Sequence, residues 1–382
     1  MKNHHLEFIW SIGWWLEDDK AWFVDGMHNA LFCVDMDTRE CEQICVIPNP
    51  LNEWTYRLNP YCIKCGRDIF CIPGYGNCIW IYNLDEHTFT ELGIDKPYRY
   101  HFGSCFWKVR DSIFIVTGDW NKVIEVSIGH RTIVNYYTLC EKDSVRRSTL
   151  VGNKIYAVSE RSGSVYEFDI FTKKVKTYYF PDFEKKLFAI CFDGEKFWLS
   201  GYQKNVYIWD KENNSTSVIY LPLANMEESN LHLFNYILYV GGYIWFIPTA
   251  KGEIMYADKE KRELSVFEID KEAGSDVSKQ PCGIPYYSLE YVKDDRYIGL
   301  FFVRSRRIFE IDTKQLRYQW IDYKFSDQCI DQCYENRQGI FNEGDILCDM
   351  AYRACIGHKA YSAKNIKNIG IEIYAKCKGG DI

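Results

Sequence analysis

The chain has 382 residues, 47% of them hydrophobic and 17% aromatic, which is ample material for a large packed core and rules out a disordered chain. A formal net charge of −7 offers no global attraction to phosphate backbones or anionic lipid, so nucleic acid is disfavoured as a partner. No basic and apolar leader opens the sequence and no run reaches membrane-spanning length, which predicts a cytoplasmic protein without a membrane segment.

A module recurs along the chain, and each copy joins a polar turn and an aromatic to a short alternating strand that ends in a small polar residue. The first copy runs DDKAW to Trp22 and then FCVD to Asp35, the second GRDIF to Phe70 and WIYN to Asn83. RDSIF to Phe114 and IEVS to Ser127 make the third, GNKIY to Tyr156 and YEFD to Asp169 the fourth. The fifth and sixth run GEKFW to Trp198 with YIWD to Asp210, and GGYIW to Trp245 with MYAD to Asp258. In the seventh the aromatic weakens to Ile298 in DDRYI before FEID ends at Asp312. Strand ends spaced at these positions match a period of roughly 40 to 50 residues, that of four-stranded propeller blades.

Gly, Asn and Asp in the turns tolerate the positive φ that tight hairpins need, and the aromatic that follows suits a strand packed in a sheet. One copy reads HFGSCFWKV, SIFIVTG, KVIEVSI and RTIVNYYTL, four strands in about forty residues. A blade cannot bury both faces alone, so blades must stack, and a closed ring removes the exposed ends of an open row. The prediction is an all-β, seven-bladed β-propeller of four-stranded antiparallel blades over residues 6–323; six blades is the alternative if one module is irregular.

Alternating strands, a polar turn before an aromatic and an Asp before the last hairpin resemble kelch-type and other bacterial propeller repeats. The consecutive glycines of kelch repeats occur only as Gly241 and Gly242, and the Trp-Asp ending of other propellers only as Trp209 and Asp210. The resemblance therefore implies a fold and carries over no activity.

After Tyr323 the pattern changes. Asn342 reads as a helix cap, followed by Glu343 and Asp345 in the first turn, apolar Ile346, Leu347, Met350 and Cys355 at helical spacing, and Gly357 as a stop. Residues 324–382 are expected to form a partly helical tail docked on the ring.

Sixteen cysteines are scattered through strand-like runs, which reads as reduced core thiols. Cys62, Cys65, Cys71 and Cys78 have the count of a four-thiolate zinc site, and Cys329 and Cys333 form a second candidate with the tail cysteines. In a blade Cys62 and Cys65 fall on opposite faces of one strand, so neither a metal nor a cofactor is expected.

Up-and-down blades place the loops between second and third strands on one face, together with the crossings between blades. That face gathers Arg57, Tyr75, Arg99, His101, Trp120, Arg147, Arg161, Tyr202, His232, Tyr286 and Arg304 as candidate ligand-binding residues. Arginine recognises carboxylate or phosphate and the rings stack on sugars or aromatics, so the expected partner is another protein or a small anionic or glycan-like ligand. The competing reading has these arginines pair with Asp25, Asp119, Glu160 and other carboxylates as a polar rim. No nucleophile elbow, HExxH, P-loop or GxGxxG is present, so a non-catalytic binding or scaffold protein is expected. The enzyme alternative is a hydrolase or lyase at the channel mouth, built on His101, His232 and a carboxylate from Asp119 or Glu160.

Overall fold

A computed structural model describes residues 11, 13–26, 29–49, 59–74, 76–95, 105–141, 143–180, 186–221, 233–249, 253–269, 287–302, 307–329 and 332. Blade 1 comprises β1 (Trp15–Glu17), β2 (Lys20–Asp25), β3 (Ala30–Asp35) and β4 (Glu40–Val46). Blade 2 is β5 (Tyr61–Cys65), β6 (Asp68–Ile72), β7 (Cys78–Asn83) and β8 (Thr88–Gly93). Blade 3 is β9 (Cys105–Val109), β10 (Ser112–Val116), β11 (Lys122–Ser127) and β12 (Thr132–Thr138). Blade 4 follows as β13 (Val145–Val151), β14 (Lys154–Ser159), β15 (Ser164–Asp169) and β16 (Val175–Tyr179). Blade 5 is β17 (Leu187–Phe192), β18 (Phe197–Gly201), β19 (Asn205–Asp210) and β20 (Ser215–Tyr220). Blade 6 holds β21 (Phe234–Val240), β22 (Tyr243–Pro248), β23 (Met255–Asp258) and β24 (Leu264–Val266). Blade 7 is β25 (Tyr287–Lys293), β26 (Tyr297–Phe302), β27 (Arg307–Asp312) and β28 (Arg317–Ile321).

The polar residue that ends each third strand has a mechanical role. Asp35 Oδ1 accepts the backbone N–H of Asp37 and Thr38 at 3.0 and 2.7 Å, and Asp169 Oδ1 those of Phe171 and Thr172 at 3.0 and 2.8 Å. Asn83, Asp258 and Asp312 do the same, while Ser127 and Asp210 hold the amide three residues on. These side-chain caps tie the outer hairpin into a turn. The residue four positions past each cap is left-handed in all seven blades: Arg39, His87, Arg131, Lys173, Asn214, Arg262 and Leu316, with φ between 48° and 63°. The strand that pairs back is thereby put in register.

The aromatic of each second strand supplies the core. Trp22, Phe70, Phe114, Tyr156, Trp198, Trp245 and their counterpart Ile298 are all buried. Most apolar clusters mix neighbouring blades: Phe114, Val116 and Val123 of blade 3 pack with Ile155, Ala157 and Phe168 of blade 4. Trp245 and Ile247 of blade 6 likewise meet Leu300 and Phe309 of blade 7. Burying one such ring is worth about 1.5–3 kcal/mol, so blade stacking provides most of the driving force.

Ion pairs reinforce the stack. From the outer hairpin of blade 3, Arg131 grips Asp68 of blade 2 at 2.8 and 2.9 Å. Lys173 of blade 4 reaches Glu125 of blade 3 at 2.7 Å, and Lys211 of blade 5 reaches Glu167 of blade 4 at 2.8 Å.

The first strands line the centre: β9 packs on β13, β13 on β17, β17 on β21, and β1 on both β5 and β25, which closes the ring. Closure has an outer component too. Lys324–Phe325 (β29), at the start of the segment assigned from sequence to the tail, pairs in parallel with β4 as a fifth strand of blade 1. Residues 327–329 then make a short helical turn that buries Cys329 against Cys41 and Phe32. The helix expected from Asn342 onward lies outside the described residues. Among those residues no helix is long and apolar enough to cross a membrane.

On the inner side, the closing seam converges on Glu290 of β25. Trp14 N–H donates to the Glu290 carbonyl at 2.6 Å, while Ser11 Oγ and Gly13 N–H donate to Glu290 Oε2 at 2.7 and 3.2 Å. The side chain is buried, its Oε1 has no hydrogen-bond partner, and burial pushes its pKa up to about 7 despite the bonds from Ser11 and Gly13. Protonation is thus tighter in the folded ring than in the unfolded chain, where the ordinary value is 4.5. The seam is most stable below pH 4.5 and loses stability as the pH rises toward 7, by roughly 3 kcal/mol at most. Glu290→Gln removes the ionisation. Urea midpoints measured between pH 5 and 8 should show a flatter pH dependence and higher stability at pH 8 than the parent; identical slopes would refute the assignment.

Candidate functional site

Four first strands carry a β-bulge that inserts an extra residue opposite the second strand. In β13 the register jumps between Val145 and Ser148, in β17 between Leu187 and Ala189, in β21 between Phe234 and Tyr236, and in β25 between Leu289 and Tyr291. The residues released from regular pairing are Arg146 and Arg147, Phe188, Asn235 and Glu290. Bulges bend a strand and re-aim its side chains, and here they bring three blades to one point. Arg147 Nη2 donates to Asn235 Oδ1 at 2.8 Å and Nε to the Asn235 carbonyl at 3.2 Å. Its guanidinium lies 4.1 Å from the centre of the Tyr236 ring and 6.0 Å from that of Phe188. Arginine 147 therefore spans from blade 4 to blade 6, passing blade 5.

Arg146 turns toward the loops between second and third strands. It pairs with Asp119 of the blade 3 loop at 3.3 Å and with Glu160 of the blade 4 loop at 2.5 Å. Tyr202, in the blade 5 loop, donates its hydroxyl to Glu160 Oε1 at 2.5 Å, and Ser144 Oγ donates to Asp119 at 3.1 Å. The Lys186 ammonium sits 5.2 Å from the Tyr202 ring centre. Gly201 allows this crowding: a Cβ there would collide with the Lys186 carbonyl. Burial would raise the Glu160 carboxyl, but the Arg146 charge and the hydrogen bonds from Tyr202 and Arg146 outweigh it and hold the group below its ordinary value.

The loop bearing Glu160 and Arg161 is held by a buried carboxylate. Asp143 accepts Ser159 Oγ and Ser162 Oγ at 2.5 Å each, Tyr166 OH at 2.8 Å, and the N–H groups of Ser144 and Arg161 at 2.7 and 3.2 Å. Arg161 itself projects outward and is exposed.

Of the residues singled out from sequence, Asp119, Glu160 and Tyr202 come together around Arg146, and Arg147 turns instead to Asn235, Tyr236 and Phe188. Trp120 lies apart, packed on Tyr136 of β12 with ring centres 5.4 Å apart. Arg57, Tyr75, Arg99, His101, His232, Tyr286 and Arg304 lie outside the described residues. Arg146, Asn235, Tyr236 and Asp143 were not singled out as ligand residues: bulges and loop anchors have no sequence mark beyond a polar residue within an apolar strand.

Cys62 and Cys71 are cross-strand partners in the blade 2 sheet. Burial pushes both thiols, and that of Cys65, above the ordinary range, so these residues act as small core side chains. Among the described residues no cluster of His, Cys, Asp and Glu is placed to hold a metal ion.

No protein-family model and no curated protein sequence matches the chain. Solved structures do match its fold. A catalytically inactive variant of virginiamycin B lyase from Staphylococcus aureus, with quinupristin, aligns with a TM-score of 0.58 at 11% identity, covering 81% of this chain and 96% of that one. A chain of the mitotic checkpoint complex aligns at 0.55 with 9% identity, covering 84% and 93%. The computationally designed Ika8 protein aligns at 0.53 with 8% identity, covering 84% and 89%. At such identities the likeness establishes the β-propeller fold and selects no subfamily within it.

The Arg146 network predicts coupled stability effects. Glu160→Gln should cost about 2 kcal/mol and Tyr202→Phe about 1 kcal/mol. In a double-mutant cycle followed by urea unfolding, the two losses should fall short of additive by about 0.5 kcal/mol or more. Strict additivity would show that the hydroxyl and the carboxylate do not act together. The loss from Glu160→Gln should shrink as the pH falls below 4.5, because the lowered carboxyl stabilises the fold only while it is ionised.

Proposed function

We propose that this propeller is a binding protein that takes an anionic group, a carboxylate or phosphate, at the channel mouth on the face of the loops between second and third strands. The observation that carries the reading is the setting of Arg147, whose guanidinium reaches from the first strand of blade 4 to Asn235 and the face of Tyr236 in the first strand of blade 6. A guanidinium held in place loses little further entropy on binding and favours planar, bidentate recognition of carboxylate or phosphate. The exposed Lys186 and Arg161 lie on the same face and add to its positive character.

Catalysis is less well supported. A hydrolase or lyase would need a base with a pKa near the working pH, and Glu160 is held in the opposite direction by its pairing with Arg146. Asp119 is engaged by the same arginine. The propeller framework serves a lyase in one structural neighbour and an assembly in another, so the choice rests on site chemistry and not on the fold. A small ligand and an acidic segment of a partner protein can each supply the anionic group, and both are served by the same arginine geometry. The free cysteines, mostly buried in the blades, support a reducing, cytoplasmic setting.

Calorimetry with citrate and with a poly-glutamate peptide tests this reading. The parent should bind at least one of them with an affinity that falls with salt, and Arg147→Lys and Lys186→Ala should each weaken that binding by about tenfold, or about 1.4 kcal/mol. If both probes fail to bind, or both variants bind as the parent does, the reading is wrong.

A further inference from the structure

The face opposite the channel mouth carries the outer hairpins, and there, at the seams between blades 2 and 3, 3 and 4, and 4 and 5, a cation of one blade clasps an acid of the blade before it. Arg131 on Asp68 and Lys173 on Glu125 both use the left-handed residue four positions past the cap. At the closing seam that position belongs to Arg39 of blade 1, and the acid equivalent to Glu125 in blade 7 is Glu310. The clasp is not made. Glu310 instead accepts Tyr291 OH at 2.7 Å and Gln319 Nε2 at 2.7 Å. Among the described residues no ion pair joins Arg39 or Lys293 to a carboxylate.

A cleft of about 280 Å³ occupies the space, with Arg39, Lys293, Tyr297, Tyr323, Gln319 and Glu310 on its walls. Its rim is held from two sides: the Arg39 carbonyl accepts Lys324 N–H at 2.8 Å from β29, and Tyr323 packs its ring 5.1 Å from that of Trp14. The two cations outnumber the one carboxylate, whose oxygens are already engaged. Two tyrosines beside a pair of cations provide ring faces and hydroxyls next to positive charge.

We infer that this seam cleft binds a small organic anion with a planar ring, an aryl carboxylate or aryl phosphate, which supplies the negative charge that the clasp lacks. The volume admits a ligand of metabolite size and excludes a folded peptide. Contacting Arg39 of blade 1 and Lys293 of blade 7 at once, such a ligand ties the first blade to the last and stabilises the closed ring by linkage. This site lies on the hairpin face and is independent of the channel-mouth reading.

Phenyl phosphate is the probe. With the full chain, titration calorimetry should give saturable binding and thermal melting should shift upward with ligand concentration. Arg39→Asn keeps a residue tolerant of the left-handed backbone and removes the cation, and Lys293→Gln removes the other. Each should weaken binding by about tenfold or more. Arg262→Asn, the same turn position in blade 6, should leave it unchanged. Absence of saturable binding to the parent, or equal affinity in Arg39→Asn and Lys293→Gln, overturns the inference.

Discussion

The hydrogen bonds that the amides just beyond each third strand donate to the polar side chain at its end are the contacts on which the ring is built. A cap such as Asp169 closes a turn whose last residue is left-handed, and that turn fixes the register of the fourth strand on the third. Register in turn decides which side chains face the next blade, because a slip of one residue would reverse every face. The same turn projects Arg131 and Lys173 onto acids of the preceding blade, so one local motif sets both the hairpin and part of the contact between blades.

Stacking alone gives a row, and closing the row demands a junction unlike the others. Here the N-terminal segment docks on Glu290 from the inside while β29 adds to the outer edge of blade 1. The junction carries the structure's least comfortable group, a buried carboxyl with one oxygen unmatched. Arg39 and Glu310 there do not make the clasp seen between blades 2 and 3, 3 and 4, and 4 and 5, and the cleft beside Arg39 fills its place.

The channel mouth shows how a regular scaffold acquires a specific site. Bulges in β13, β17 and β21 release Arg147, Phe188 and Asn235 from strand pairing, and the guanidinium is fixed by groups from two other blades. Arg146, one residue earlier, satisfies the loop carboxylates and stiffens the rim. Adjacent arginines thus do different work. One pays for the burial of its neighbours' charges, and the other is oriented by an amide and a ring at the mouth.

Reading the residues alone established the sevenfold module, its four strands, the aromatic core of the second strands and the capping residue at each third strand's end. These are local properties: alternation, turn chemistry and spacing act within about ten residues of one another and leave a direct trace in the chain. Sequence also placed Asp119, Glu160, Tyr202 and Arg147 on one face, since the face of a loop follows from strand order. Its reading of a polar rim in which arginines of that face pair with Asp119 and Glu160 is what Arg146 does, but it did not reveal that Trp120 packs away on Tyr136 or that β29 returns to blade 1. Those outcomes were settled by tertiary structure, because bulge position, blade-to-blade reach and the route of ring closure depend on contacts between residues far apart in the chain, such as Ser11 with Glu290, 279 positions apart, which no local pattern encodes.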